Sequence, residues 1–490
     1  MGLYKKLFQQ TAIYGLATVI PRMFSFLLVP LYTGLLPQEE YGKVSIIFAW
    51  MIFFNVILAY GMETAFFRFY NNKNENKASV VETTTVSIFW STILFVFIAL
   101  LFRNSLAQWS GVDTQYITYS IWILALDALV IVPFSKLRAN QRPKFYALIK
   151  IGNVVVNLSF NLFFLIYLPS VSVSQPDSFL SSVYIDNFQI GYIFLANIIA
   201  SFLTFIVLFP DYFAIKWKFD YELWKRMMRY GLPIMIAGIA FAINEQFDKI
   251  LLGDLLPANI AKAQVGVYSA CYKLGLFMVL YRTAYTLGIE PFFFSHASND
   301  NAQETYATIT KYFVIFGSFI LLSVIVFADI LKQVMIPNSS YWEAMKVVPL
   351  IILANFFLGI YTNLSVWYKL IDKTYVGAYI SIVGAVVTLA LNYLLIPKYG
   401  YYGSAIATIS AYGSMMFISY YLGNKYYPIP YDKKKIVGYL TLSTGFSCIS
   451  FYGFRENYYI GILLLGIFLG FIYYNEKETL LRILKRPIKN

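Results

Sequence analysis

Long apolar stretches separated by short polar segments run along the whole chain. Each stretch approaches the roughly 20 residues that a helix needs to cross a bilayer, and we count about fourteen of them. No connection is long enough for a soluble domain, so the pattern predicts an all-α integral membrane protein with about fourteen transmembrane helices. They centre near Phe24, Phe53, Ile93, Leu124, Val156, Ile198, Ile239, Phe277, Ile320, Phe356, Ala385, Ser410, Leu442 and Leu465.

Composition supports a membrane protein and excludes a nucleic-acid binder. Hydrophobic residues make up 59% of the chain and charged residues 13%, against about 45–50% and 25% in soluble domains. The net charge of +13 comes from Lys and Arg concentrated in alternate loops, which is a topology signal. No metal-ligand spacing, nucleotide-binding loop or nucleophile constellation occurs, so we expect neither a cofactor nor a metal.

The charge of the loops sets the predicted orientation. Loops on one side carry basic clusters, as at 136–144 and 433–435, whereas the long loop 168–186 on the other side has no positive charge. The positive-inside rule then puts both termini in the cytoplasm, which an even number of helices requires.

An internal repeat divides the chain. The segment from Tyr14 to Gly42 and the segment from Tyr230 to Gly266 both begin Tyr-Gly, pass Leu-Leu-Pro and close on glycine. Further along, one constant offset pairs Arg138 with Lys369, Arg142 with Lys373 and Asn161 with Asn392.

The repeat predicts three parts. Residues 1–220 form an N-lobe with helices 1–6, residues 221–424 a C-lobe with helices 7–12, and residues 425–490 contain helices 13–14 and a cytoplasmic tail. Because each half has an even number of helices, the halves are parallel, and a central site is expected between them.

Ionisable residues inside apolar stretches mark the candidate site, because a charge in hydrocarbon is costly and usually faces an interior or a wet cavity. Arg22 stands deepest, beside Pro21, where the helix is expected to kink. Its guanidinium suits a phosphate group, but an internal ion pair with Glu63 or Asp248 is the alternative. The candidate substrate-binding residues are Arg22, Arg68, Lys249, Lys273 and Arg282.

Helix 7 carries the candidate ion-coupling group. Asn244 and Asp248 share a helix face, and Glu245 lies beside it. These groups suit Na⁺ or proton exchange, while a structural pair of Asp248 with Lys249 or Arg22 is the alternative. The full candidate set for coupling is Asn244, Glu245, Asp248 and Glu63.

Helix 8 carries two basic residues and several tyrosines. On a straight helix, Lys273 and Arg282 point to opposite faces, so at most one of them faces a cavity directly. The tyrosine rings on this helix suit sugar stacking, but packing is the favoured interpretation.

The segments PRMFSFLLVPLYTGLLPQEEYG and FDKILLGDLLPANIAKAQVGVYSACYKLG, with fourteen spans in two parallel halves, resemble the Wzx-like oligosaccharide flippases of the MOP superfamily. The resemblance implies a MATE-like fold, alternating access and an ion gradient, H⁺ or Na⁺, as energy source. It implies a polyprenyl-pyrophosphate-linked oligosaccharide as substrate, with Arg22 and the Asp248–Lys249 pair matching the family pattern. A monomer in the bacterial inner membrane, in contact with membrane lipids and working beside glycan-polymerase machinery, is expected.

Two other transporter types and one enzyme class remain as alternatives. A MurJ-type lipid II flippase shares the fourteen-helix plan, and a MATE-type multidrug exporter shares the fold but normally stops at twelve helices. A membrane glycosyltransferase or polymerase is disfavoured, because the longest loop on the outer side, 168–186, carries only two aspartates and no arginine. The chain is therefore expected not to be an enzyme.

Overall fold

A computed structural model of the chain describes residues 3–295 and 301–485, and every element in this part is helical. The first half contains α1 Leu3–Leu35, α2 Gln38–Ala59, α3 Met62–Tyr70, α4 Lys77–Leu101, α5 Arg103–Ser110, α6 Thr114–Leu129, α7 Ile131–Ala139, α8 Pro143–Leu162, α9 Leu168–Ser174, α10 Phe179–Val183, α11 Gln189–Leu208, α12 Pro210–Phe213 and α13 Tyr221–Leu255. A π-helical turn, Phe163–Tyr167, joins α8 to α9.

The second half contains α14 Ala258–Tyr272, α15 Leu276–Ser295, α16 Ala302–Val326, α17 Ala328–Met335, α18 Val348–Leu364, α19 Val366–Leu370, α20 Tyr375–Tyr399, α21 Tyr401–Tyr426, α22 Lys433–Cys448 and α23 Tyr458–Lys485. Two 3₁₀ segments, Lys273–Gly275 and Ser339–Val347, and a π-helical turn, Ile449–Gly453, complete the order.

The predicted fold class, an all-α integral membrane protein, is confirmed. In the described part of the chain, 13 helices are long and apolar enough to cross a bilayer. The count differs from the expected fourteen at the helix centred near Leu442. There, α22 spans only 16 residues and continues as the π-helical turn to Gly453.

The chain divides into two compact units. The first comprises residues 1–269 and 381–404. Within it, α1 packs on α8, α2 on α13, and α11 on both α6 and α8. This unit contains the first copy of the repeat together with α13, most of α14 and most of α20 from the second copy. The unit boundaries therefore follow packing and not the linear order. The predicted division at residues 220 and 424 remains a prediction.

The second unit comprises residues 270–380 and 405–490. Its centre is α16, which packs against α18, α22 and α23. Glu476 of α23 is 3% exposed and accepts hydrogen bonds from Lys311 Nζ (2.8 Å), Lys435 Nζ (2.9 Å) and the Tyr439 hydroxyl (3.2 Å). These bonds tie the C-terminal helices to α16.

A second ionic contact holds the C-terminal pair at its other end. Asp329 of α17 is buried and accepts hydrogen bonds from Arg455 Nη2 (3.0 Å) and from Lys332 Nζ. Burial alone raises the pKa of Asp329, but these two cations outweigh it and hold the pKa below its ordinary value.

The helix that carries Lys273 and Arg282 is not straight. The α-helix α14 ends at Tyr272, the 3₁₀ segment Lys273–Gly275 follows, and α15 begins at Leu276. A 3₁₀ turn has 3.0 residues per turn against 3.6 in an α-helix. The prediction that the two side chains point to opposite faces assumed one continuous α-helix, and it stays a prediction, because the short 3₁₀ segment changes the angle between them by only about 20° per residue.

Candidate functional site

The candidate site in the first unit is built around the carboxylate of Asp248 on α13. Asp248 is 1% exposed and Lys249 is 8% exposed. The Asp248 Oδ1 atom lies 3.0 Å from the Lys249 ammonium and accepts the Lys249 backbone N–H at 2.8 Å. The Tyr268 hydroxyl of α14 donates to Asp248 Oδ2 at 2.8 Å. The direct pair of Asp248 with Lys249, one of the sequence-based alternatives, is therefore formed.

Neutral polar groups extend this cluster onto α20. Asn244, one turn before Asp248, accepts the Thr388 hydroxyl at 2.9 Å and donates to the Ser381 carbonyl at 3.1 Å. Asn392, one turn after Thr388, accepts the Ser404 hydroxyl at 3.0 Å. We call Asn244, Asp248, Lys249, Tyr268, Thr388, Asn392 and Ser404 the α13 cluster, and all seven are buried.

The first copy of the repeat contains a neutral counterpart of this arrangement. Asn161, which the repeat pairs with Asn392, accepts the Tyr32 hydroxyl at 2.8 Å and donates to the Asn157 carbonyl at 2.8 Å. Asn392 likewise donates to a carbonyl four residues earlier, that of Thr388, at 2.7 Å. In both copies, therefore, the asparagine side chain is held by the backbone carbonyl one turn earlier in its own helix.

The buried carboxylate of the α13 cluster has two side-chain partners. A buried carboxylate is costly unless it is paired and hydrogen-bonded, and Lys249 and Tyr268 meet that requirement for Asp248. A proton or a metal cation at Asp248 would compete with the Lys249 ammonium for the same oxygen.

The other candidates in the first unit have separate environments. Arg22 lies within α1, which continues through Pro21 and Pro30, and its side chain is exposed on this unit's surface. Glu63, one proposed partner of Arg22, pairs with Arg138 instead, at 2.6 Å. Asp248, the other proposed partner, is engaged by Lys249 and Tyr268.

The remaining helix 2 and helix 7 candidates contact other groups. Arg68 stands over the ring of Tyr230 with 4.2 Å between its guanidinium carbon and the ring centroid. The backbone carbonyl of Glu245 accepts a hydrogen bond from Lys249 Nζ at 3.3 Å. The structure therefore brings Asn244, Glu245 and Lys249 together around Asp248.

Two candidates belong to the second unit. Lys273 is exposed on its 3₁₀ segment, and the Arg282 side chain passes within 3.5 Å of the position that a Cβ on Gly359 would occupy. Nearby, the Tyr285 hydroxyl donates to Asn363 Oδ1 at 2.9 Å and the Tyr281 ring stacks on Phe313. These tyrosines thus take part in packing, the interpretation that the sequence favoured.

Sequence reasoning missed several polar residues of the first unit. Thr388 and Ser404 carry no charge, so the search for ionisable residues in apolar stretches did not select them. Lys150 of α8 is a basic residue inside a membrane span, and its ammonium stands 4.2 Å from the Phe134 ring centroid. Asp127 of α6 accepts the Ser201 hydroxyl at 2.8 Å.

Among the described residues, no group of three or more His, Cys, Asp and Glu side chains is arranged to hold a metal ion.

Two sequence comparisons bear on the chain's relationships. The family model described as "Polysaccharide biosynthesis protein" matches residues 7–295, which is more than half of the chain. The uncharacterised membrane protein MJ1068 of Methanocaldococcus jannaschii is 22% identical, and the match covers 94% of this chain and 95% of the relative.

Solved structures with a similar fold are transporters. The lipid II flippase MurJ in its inward closed conformation is similar with a TM-score of 0.73 and 16% identity, over 95% of this chain and 99% of that protein. An inward-facing multidrug MATE transporter of the MOP superfamily has a TM-score of 0.64 and 12% identity, over 88% of this chain and 96% of its own. At these identities the likeness establishes the fold, that of MurJ and the MATE transporters.

Proposed function

The chain belongs to the polysaccharide biosynthesis protein family, and on that premise we propose that it is a flippase for a polyprenyl-pyrophosphate-linked oligosaccharide. The substrate moves from the cytoplasmic to the outer leaflet by alternating access, and the protein is a transporter and not an enzyme. The observation that carries the proposal is the family match over residues 7–295, joined to a MurJ-like fold over 95% of the chain.

The physical need for such a protein follows from the substrate. A pyrophosphate and a glycan are strongly hydrated, and moving charge through hydrocarbon costs several kcal/mol or more. A flippase lowers this cost by supplying cations and hydrogen-bonding groups along the path. Arg22 is our first candidate for the pyrophosphate, because its planar fork can hold two phosphate oxygens and its side chain is exposed inside a membrane span. Arg68, Lys273 and Arg282 are further candidates.

Lys249 fits the coupling step better than substrate binding. Its ammonium is 3.0 Å from Asp248 and almost fully buried, so reaching a pyrophosphate would leave the carboxylate uncompensated. We propose that a proton or Na⁺ arriving at Asp248 displaces Lys249, and that this exchange drives a change in α13. Asn244 and Glu245 would support the site, whereas Glu63, paired with Arg138, would act at a different place.

The proposal extends to the cellular setting. Both termini would be cytoplasmic, the protein would be a monomer in the inner membrane of a bacterium, and it would work beside glycan-polymerase machinery. The basic loops support the orientation.

A cell-based test uses surface glycan as readout. In a strain that depends on this chain for surface glycan, Arg22→Ala should abolish the glycan at normal expression, and Arg22→Lys should keep part of it because the charge remains. Normal glycan in Arg22→Ala would contradict substrate contact. Rescue of Arg22→Ala by neutralising Glu63 or Asp248 would contradict it too, because that result indicates an internal ion pair.

Lipid II is a second candidate substrate, because the MurJ likeness is stronger and covers more of the chain than the MATE likeness. Complementation of a strain depleted of its lipid II flippase separates the two: growth would favour lipid II, and surface glycan without growth would favour the oligosaccharide. Export of a cationic drug, with neither growth nor surface glycan restored, would favour a multidrug exporter.

A further inference from the structure

The two glycines that close the copies of the repeat are Gly42, the fifth residue of α2, and Gly266, the ninth residue of α14. Both are buried. Although they are far apart in sequence, the two helices cross directly at these positions within the first unit. The repeat thus has a structural consequence beyond marking the two halves.

The crossing is self-complementary and admits no side chain. A Cβ on Gly42 would lie 3.0 Å from the backbone N of Gly266, and a Cβ on Gly266 would lie 3.1 Å from the backbone N of Gly42. Each added carbon would also collide with a backbone carbonyl four residues before the opposite glycine, that of Lys262 or of Gln38. Only glycine permits backbones to approach this closely.

The contact continues below the crossing. The Ile46 side chain, one turn further along α2, is 7% exposed and packs against Gly253 of α13. Beyond it, the rings of Phe53 and Phe247 meet at 5.2 Å between centroids. Next to the crossing, the Lys262 ammonium donates to the carbonyl of Gly111.

A backbone-to-backbone crossing at two glycines suits a contact that forms and breaks. Flat backbone surfaces gain dispersion energy without interlocking side chains, so the helices can separate without rotamer rearrangement. The predicted topology puts the starts of α2 and α14 at the outer face, and the two helices come from different copies of the repeat.

We propose that Gly42 and Gly266 form the closing contact of the outer gate, which must separate before a glycan can leave toward the outside. This inference rests on the proposed flippase function. A methyl group at either position would hold the gate apart, leaving the outer side open and stopping the cycle.

The test measures how readily a water-soluble reagent reaches Ile46, which lies one turn below the glycine crossing on α2. A cysteine at Ile46, in a Cys448→Ser background because Cys448 is exposed, is labelled in cells with a membrane-impermeant maleimide. Gly42→Ala and Gly266→Ala should each raise the labelling rate at least tenfold and reduce surface glycan at least tenfold. Gly34→Ala is the matched control, since a Cβ on Gly34 would have no heavy atom within 4 Å, and it should change neither quantity.

An unchanged labelling rate in folded Gly42→Ala and Gly266→Ala variants would overturn the gate. If neither variant gives a monodisperse protein, the Ile46→Cys variant with both glycines intact provides the test. Its labelling rate should be higher in cells that make the lipid-linked glycan than in cells that do not. Equal labelling rates in the two kinds of cell would overturn the proposal. Faster labelling in the alanine variants of a chain that supports no surface glycan would leave the gate standing and contradict the flippase function instead.

Discussion

Replacing Asp248 by asparagine separates a structural from a coupling role. Asparagine keeps the shape of the side chain and an oxygen that can accept the Tyr268 hydroxyl, now 2.8 Å from Asp248 Oδ2. It removes the charge that Lys249 faces at 3.0 Å. We therefore expect both stability and transport to fall in Asp248→Asn.

The size of the stability loss follows from burial. Asp248 and Lys249 are 1% and 8% exposed, so the change leaves an ammonium in a poorly hydrated environment. Removing one partner of a buried pair costs about 3–5 kcal/mol, which is more than a hundredfold in the unfolding equilibrium at about 1.4 kcal/mol per tenfold. The Tyr268 hydroxyl adds no further loss, because the side-chain oxygen of asparagine still accepts its hydrogen bond.

The double variant Asp248→Asn/Lys249→Met decides between the two roles. Methionine removes the orphaned charge and keeps an unbranched side chain, and exchanging a buried ion pair for neutral groups is often close to neutral. Thermal unfolding of the purified protein should therefore return near to that of the wild type. Surface glycan should stay low, because the cation-exchanging groups are gone. Asp254→Asn, an exposed position on the same helix, should leave both quantities unchanged.

Two results would refute this reasoning. Normal thermal stability of the single variant would mean that Lys249 finds another partner or water, and that the buried-pair argument is wrong. Full surface glycan in the double variant would show that the pair has a structural role only, and the coupling proposal for Asp248 would then be wrong.

Two further predictions concern the second unit. Glu476→Gln should lower stability by about 3–5 kcal/mol because it leaves Lys311 without its buried carboxylate, whereas exposed Glu478→Gln should have little effect; equal thermal unfolding of the two variants would contradict this. The contact with Arg455 lowers the folded-state pKa of Asp329. The stabilising effect of this contact is therefore present above the unfolded-state pKa of about 3.9, and it is lost as pH falls through the lower folded-state pKa. Unfolding temperatures below about pH 4 should therefore fall less steeply for Asp329→Asn than for wild type; parallel curves would show that the contact contributes nothing.

Part of the candidate site follows from sequence, because helical spacing is local. Asn244 and Asp248 are four residues apart in an apolar helix, which predicts a shared face, and both are buried in the structure. The partners that complete the site come from α14, α20 and α21 and are uncharged, so apolar patterning does not single them out. Tyr268 in particular is predicted as a packing or stacking residue, and its hydroxyl instead donates to Asp248.

Long-range pairing is harder to predict from sequence, because several partners are compatible with one pattern of residue types. The sequence offered two acidic partners for Arg22. In the structure, Glu63 pairs with Arg138, and Asp248 contacts Lys249 and Tyr268. The prediction that Lys273 and Arg282 lie on opposite faces assumed a regular α-helix. A 3₁₀ segment of three residues changes the angle between the two side chains. A pattern of residue types does not specify such a local change of helical pitch.

The amino-acid sequence by itself determined that this chain spans a membrane many times, because hydrocarbon forces apolar side chains into stretches of about 20 residues. It also determined the repeat, including the glycines at 42 and 266. Only the tertiary structure decided that these glycines meet each other and that Asp248 pairs with its own neighbour. The physical reason is distance: periodicity acts over a few residues, whereas a helix crossing or a buried hydrogen bond depends on how remote segments pack.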